Sequence, residues 1–308
     1  MFKTFCTPRR PAFWIVIAIA IAAACASANK SHASTLDSGP YPDAAHERFS
    51  VTVSGQGPDV ILIPGLASSA AVWDKTVSQL QGHYRLHVVN LAGFAGEPAG
   101  ANASGDILPP TVEALDAYIK ANHLQKPAVV GHSLGGLLAL MLAKAHPEDT
   151  GRLVIADALP YVGVIFNPQA TVAAMTPQAA ALRDGMIGAT DDAFKAQQTQ
   201  SAAFLVSGPA DQATVLGWSM ASDRRVVAEA FYEDLTTDLR PDVAGIKTPT
   251  TLIYPVAPGQ DEAMTTQVYT AAYTAMPHFS LAKVDNSRHF EMLDQPEAFE
   301  QALEAALK

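Results

Sequence analysis

A serine stands between two glycines in Val129-Val130-Gly131-His132-Ser133-Leu134-Gly135-Gly136, with an apolar run before it and another, Leu137 to Leu142, directly after. The stretch reads as a strand that turns sharply into a helix. At such a turn a serine is lifted above the edge of a sheet, and its neighbours must be small because a Cβ would meet the facing strand or helix. The hydroxyl then lies at a helix N-terminus, which favours developing negative charge. Ser133 is therefore a candidate nucleophile, and a serine hydroxyl needs a neighbouring base. His289, in Asp285-Asn286-Ser287-Arg288-His289-Phe290, follows the last strand-like run and is expected at the same sheet edge. Together they could carry acyl transfer through an acyl-enzyme, with activity rising with pH as the imidazole loses its proton.

An acid must hold the tautomer of that histidine. Asp157 ends the strand-like Arg152-Leu153-Val154-Ile155-Ala156, and Asp261 and Glu262 follow the later run Thr250–Tyr254. Both strand ends flank the histidine loop. Asp157 sits on a rigid strand terminus, whereas the later acids follow Pro255-Val256-Ala257-Pro258-Gly259-Gln260, a loop with two prolines and a glycine. Asp157 is taken as the acid, with Asp261 or Glu262 as the alternative. His132 adjoins the serine but points differently, and reads as structural or pocket-lining. His83 and His87 are four apart, yet His87 lies in a strand-like run, so no zinc signature is read. No phosphate-binding glycine loop occurs. No cofactor and no metal are expected.

The elements that position these groups alternate. Strand-like runs fall at 49–53, 60–63, 86–89, 128–130, 153–155, 250–253 and 280–284. Helical spacing lies between them, as in Val112, Leu115 and Ile119, and in Phe299, Leu303 and Leu307 after Pro296. That alternation predicts an α/β fold, a mainly parallel sheet covered by helices on both faces. From about 160 to 241 no strand stands out. This segment is expected to form a helical cap inserted after the sixth strand, with Tyr161, Phe166, Met175, Phe204, Trp218 and Met220 as candidate pocket walls.

The chain has 308 residues, 49% of them hydrophobic and 16% charged, which fits one large domain. Its net charge of −10, without a basic cluster, argues against nucleic acid and anionic membrane surfaces as partners. Lys3, Arg9 and Arg10 precede 15 apolar residues, Ala12 to Ala26, and Ala26-Ser27-Ala28 offers a cleavage site. Residues 1–28 read as a signal peptide, giving a periplasmic or secreted protein with no membrane span in the mature chain. An uncleaved anchor or a lipoprotein is the lesser alternative. Cleavage would remove three basic residues and leave 17 Lys and Arg against 30 Asp and Glu, a net of −13. Cys6 and Cys25 would leave as well. Residues 29–47 read as a polar linker and 48–308 as the domain.

Four motifs in this order resemble the α/β-hydrolase fold family: "LIPGLASSAAVW", "LAGFAGEPA", "GHSLGG" and "DNSRHFEMLDQPEAF". The resemblance implies that backbone N–H groups of Leu66 and Leu134 form an oxyanion hole, with Ser133 and His289 as nucleophile and base. Most relatives carry the acid after the strand corresponding to Thr250–Tyr254, while some place it where Asp157 lies. This chain has Pro64-Gly65 where the family usually reads His-Gly. That removes a bracing side chain but keeps the backbone donor. The implied activity is hydrolysis of a carboxylic ester or lactone, and an apolar cap implies a small-molecule, largely uncharged substrate. An amidase or aminopeptidase of the same fold is the alternative. It would need a cap acid for the substrate amine, and Glu229, Glu233 and Asp234 are candidates. A non-catalytic binding protein is the second alternative, disfavoured by the intact Ser/His pair.

Overall fold

Phe49-Ser50-Val51-Thr52-Val53 alternates apolar and polar side chains, the pattern of a strand wetted on one face. In the computed structural model, which describes residues 47–308, this segment forms β1 (Phe49–Gly55). β1 lies antiparallel to β3 (Arg85–Leu91) at one edge of a seven-stranded sheet. The continuous apolar runs become inner strands: β2 (Asp59–Ile63), β4 (Ala128–His132), β5 (Arg152–Ala156) and β6 (Thr250–Val256). β7 (Phe279–Asp285) forms the other edge. The order is β1-β3-β2-β4-β5-β6-β7, with every pair after β1·β3 parallel. The leader expected over 1–28, and the linker expected over 29–47 apart from Glu47, lie outside the described residues.

Alternate side chains of the inner strands feed two cores. Ile61, Ile63, Val129, Leu153 and Ile155 pack on one face with α2 (Leu108–Ala121) and α3 (Leu134–Ala145). Val60, Leu62, Val130 and Val154 pack on the other with α1 (Asp74–Leu80) and the C-terminal Pro296–Leu307 helix. Burial on both faces is why these strands are apolar throughout. After β2 the chain moves to β3 on one side and then to β4 on the other. The C-terminal ends of β2 and β4 therefore meet at the point where strand order reverses, the usual ligand position in an open α/β sheet.

Four consecutive helices fill the strand-free stretch: α4 (Val172–Gly188), α5 (Asp191–Leu205), α6 (Pro209–Ala221) and α7 (Arg224–Thr236). The expected position after the sixth strand needs correcting. The insertion joins β5 to β6, because a single antiparallel strand precedes the parallel set among the described residues. Side chains of Thr171, Thr190 and Asp223 cap α4, α5 and α7 by accepting backbone N–H bonds. The insertion has a small core of its own, Tyr161, Ala170, Met175, Ala179 and Leu235. Two of the expected pocket walls, Tyr161 and Met175, are thus spent on internal packing. Phe166, Phe204 and Met220 are exposed, and Trp218 is part-buried against the second sheet core. The chain closes with α8 (Glu262–Tyr273), the short α9 (Glu291–Asp294) and α10 (Pro296–Leu307). Among the described residues no helix is long and apolar enough to cross a membrane.

Candidate active site

Ser133 follows the last residue of β4 and precedes the first residue of α3, with φ +52° and ψ −121°. That backbone conformation strains a non-glycine residue by on the order of 1–3 kcal/mol and persists only where its surroundings impose it. Here they do. The Ser133 N–H donates to Ala156 O (2.9 Å), and its carbonyl accepts from Gly136 N (2.8 Å). A Cβ on Gly131 would lie 2.1 Å from Gly135 O, and one on Gly135 would lie 2.3 Å from Ile63 O. Both contacts are with backbone, so the two glycines allow the turn to close. The loop after β2 rests on it: a Cβ on Gly65 would approach Ser133 Cβ to 3.1 Å. Among the described residues neither the Leu66 nor the Leu134 N–H is spent on a hydrogen bond. Two donors are thus free beside the serine, the requirement for holding an oxyanion.

His289 stands in the loop between β7 and α9. Its Nδ1 is 2.6 Å from Asp157 Oδ2. Asp157 follows β5 with φ +42°, its N–H donating to Ile253 O (2.9 Å), so the strand end fixes the carboxyl. Its other oxygen accepts a very short bond from the Tyr269 hydroxyl on α8. Burial opposes charge on Asp157, but the adjacent imidazole and the hydrogen bonds from His289 and Tyr269 outweigh it and hold the carboxyl below its usual range. Burial, Asp157 and their hydrogen bond keep the Tyr269 phenol protonated, so it remains a donor. The later acids do other work. Asp261 accepts from Met264 N (3.1 Å) as the cap of α8, and Glu262 pairs with Lys283 at 2.7 Å. The Ser133 hydroxyl makes no hydrogen bond among the described residues; such bonds are often long in unliganded sites.

His132 joins the two halves. Burial pushes its pKa down to about 3, so the ring is neutral. Its Nε2 lies 2.8 Å from the His289 carbonyl, which can only accept, so Nε2 carries the proton. The rings of His132 and His289 are 4.6 Å apart, and Phe290 stands edge-on to His289 at 5.4 Å. Asp294 fixes the loop from its far side, accepting from Arg288 N (2.8 Å) and Ser207 N (2.8 Å). A serine at a strained turn, two free donors and an Asp–His pair over one sheet edge are the parts of a nucleophilic hydrolytic site.

Residues 60–302 match the model of the alpha/beta hydrolase family. The chain belongs to this family. It is 39% identical over 114 residues to a pimeloyl-[acyl-carrier protein] methyl ester esterase of Aeromonas salmonicida, a match covering 37% of this chain and 41% of that protein. The chain thus spans about two fifths of the length of that curated relative. Among solved structures, the enol-lactonase from Burkholderia xenovorans LB400 superposes with a TM-score of 0.70 at 18% identity, covering 87% of this chain and 99% of that one. A hydrolase from Pseudomonas aeruginosa PA01 gives 0.68 at 20% identity, covering 84% and 94%. At such identities the structures speak for the fold.

Three groups of this alpha/beta hydrolase escaped sequence reasoning. Tyr269 reads as one more tyrosine on an amphipathic helix; its spacing of four from the buried Tyr273 was the available signal. Glu291 lies two residues beyond His289, fully buried, with neither carboxyl oxygen hydrogen-bonded. The third is a cluster of metal-ligand residue types on α2 and just past α3. Ligand atoms of Asp116, His146 and Asp149 lie within 4.8 Å of one another, but the Lys120 ammonium already sits against them, 2.7 Å from Asp116 and 3.4 Å from Asp149. The expected absence of zinc at His87 concerned a different place: that ring bridges the Tyr118 hydroxyl (2.7 Å) and Asp59 (3.0 Å).

Proposed function

We propose that the protein is a serine hydrolase that cleaves a small or medium-sized carboxylic ester or lactone. The observation that carries this reading is the 2.6 Å contact between His289 Nδ1 and Asp157 Oδ2 at the edge where Ser133 is held in its strained turn. With Nδ1–H donated to Asp157, Nε2 is the free base of the ring. It takes the Ser133 proton as the hydroxyl attacks the carbonyl. The tetrahedral oxyanion is received by the Leu66 and Leu134 N–H groups. His289 then delivers the proton to the leaving alkoxide, and water repeats the sequence to release the acid. The named activities of the esterase relative and the lactonase neighbour fall within this chemistry. The basic and then apolar stretch within residues 1–28 supports a periplasmic or secreted location.

A fluorophosphonate probe should label the protein at Ser133. Ser133→Ala should abolish both labelling and ester turnover, by several powers of ten, without loss of the folded state. Near-normal hydrolysis by the purified variant would sink the serine mechanism.

A further inference from the structure

The His132 ring is engaged on two sides. Its Nε2–H donates to the His289 carbonyl (2.8 Å). Its Nδ1 edge lies against the loop after β2, where a Cβ on Gly65 would stand 2.9 Å from Nδ1 and 3.3 Å from Cε1. With the proton on Nε2, Nδ1 is an acceptor. It is fully buried and has no hydrogen-bond partner among the described residues. An acceptor sealed in this way is costly. An apolar ring would avoid the cost, but it would leave the His289 carbonyl without its donor.

Gly65 opens the turn that presents one of the two free donors. Its carbonyl accepts from Ser68 N (3.2 Å), and Ala67 stands at φ +54°. Leu66 is thus the first corner residue, with its N–H outside the bond that closes the turn. Pro64 supplies neither an N–H nor a polar side chain to anchor this loop. Close contact locates it instead. A Cβ on Gly135 would lie 2.3 Å from Ile63 O and 2.7 Å from Pro64 O, and one on Gly65 would meet His132 and Ser133. One rigid ring therefore touches the backbone of the oxyanion loop and holds the backbone of the base itself. A displacement of about 1 Å between such groups costs on the order of 10²-fold in rate.

We propose that His132 is a positioning residue, the spacer that sets the Leu66 N–H and the His289 imidazole at their working separation. This rests on the serine-hydrolase reading above and adds to it a residue that touches neither substrate nor proton.

The test reads the assembled site with a fluorophosphonate, whose labelling rate needs the nucleophile, the base and the oxyanion donors but no knowledge of the ester. His132→Ala should label about 10²-fold more slowly while remaining folded at the assay temperature. Its kcat for p-nitrophenyl butyrate should fall with the labelling rate, and KM should stay within about threefold, because the ground state does not use the oxyanion donors. His132→Gln places an amide N–H near the position of Nε2–H and should recover the labelling rate to within about tenfold of the wild type. The contact with the loop is read by coupling. Gly65→Ala should slow labelling about tenfold or more in the wild type, and by clearly less beside His132→Gln, whose flexible chain yields to the new methyl. Labelling by folded His132→Ala within about threefold of the wild type would overturn the proposal. So would a loss confined to KM or to thermal stability, or independent effects of Gly65→Ala and His132→Gln. The expected labelling pattern without turnover of any ester would leave the role of His132 standing and remove the ester-hydrolase reading. A wild type that the probe does not label would overturn both.

Discussion

Two carboxylates compete for one histidine, and the structure gives them separate partners. Asp157 is tied to His289 and Tyr269, and Asp261 to the first turn of α8. Asp157→Asn should therefore lower turnover by on the order of 10⁴, because an amide no longer enforces the tautomer with Nε2 free. Asp261→Asn should leave turnover within about twofold, since asparagine caps a helix about as well as aspartate. Steady-state kinetics on the two variants decides it, and the reverse ranking would move the acid to the later loop. The parts were unequally legible in the sequence. The turn at Ser133 could be read because two small residues and a strand–helix junction are local facts. The pairing of Asp157 with His289 spans 132 positions of chain, and its only signs are the relative stiffness of two loops and the acid position that some members of the family use. Tyr269 and Glu291 gave no sign, because nothing local distinguishes a tyrosine aimed at an acid, or a glutamate sealed in a core, from their surface counterparts.

At the scale of elements, the strands were readable because burial on both faces demands unbroken apolar runs, and one edge strand shows the alternation of a half-wet face. How the insertion attaches was not readable: its apolar residues, such as Val226, Val227 and Val215, join the two sheet cores without any local mark of which, and its polar anchors link distant segments. Glu233 is the sharpest instance. The start of α2 offers no side-chain cap of its own, and the carboxylate of α7 takes up the N–H groups of Ile107 and Leu108. Glu233→Ala leaves two part-buried donors unanswered and should cost about 1–3 kcal/mol of stability. Glu233→Gln, which keeps one acceptor, should cost less. Chemical denaturation reads both. Because Glu233 is occupied with the backbone, neither change should alter kcat by more than about threefold if the insertion stays docked. A large loss of kcat at unchanged stability would instead make Glu233 part of the chemistry.

For the whole molecule, the buried ionisable groups set how stability follows pH, and their signs differ. Asp157 is held below its usual value, so its contribution is present at neutral pH and is lost as pH falls through the folded value. His132, pushed down to about 3, is neutral when folded but protonated when unfolded below its ordinary 6.5, so it too makes acid destabilising. Asp234, pushed up to about 7, works in the opposite sense between 3.8 and 7. Burial, then the Asp157 and Asp294 charges, push Glu291 well above its ordinary 4.5, against a smaller lowering by its own backbone N–H. The folded state therefore holds a Glu291 proton that the unfolded chain has released, and stability falls with rising pH up to the folded value. The Glu291 contribution therefore begins to be lost once pH rises above 4.5, the ordinary value of its carboxyl. Each pH unit in that window should cost up to about tenfold in the folding constant. Denaturant unfolding at pH 5, 6 and 7 should show the stability difference between Glu291→Gln, neutral throughout, and the wild type moving in the variant's favour at each step. Parallel curves for the two proteins would mean that the folded state does not hold the Glu291 proton.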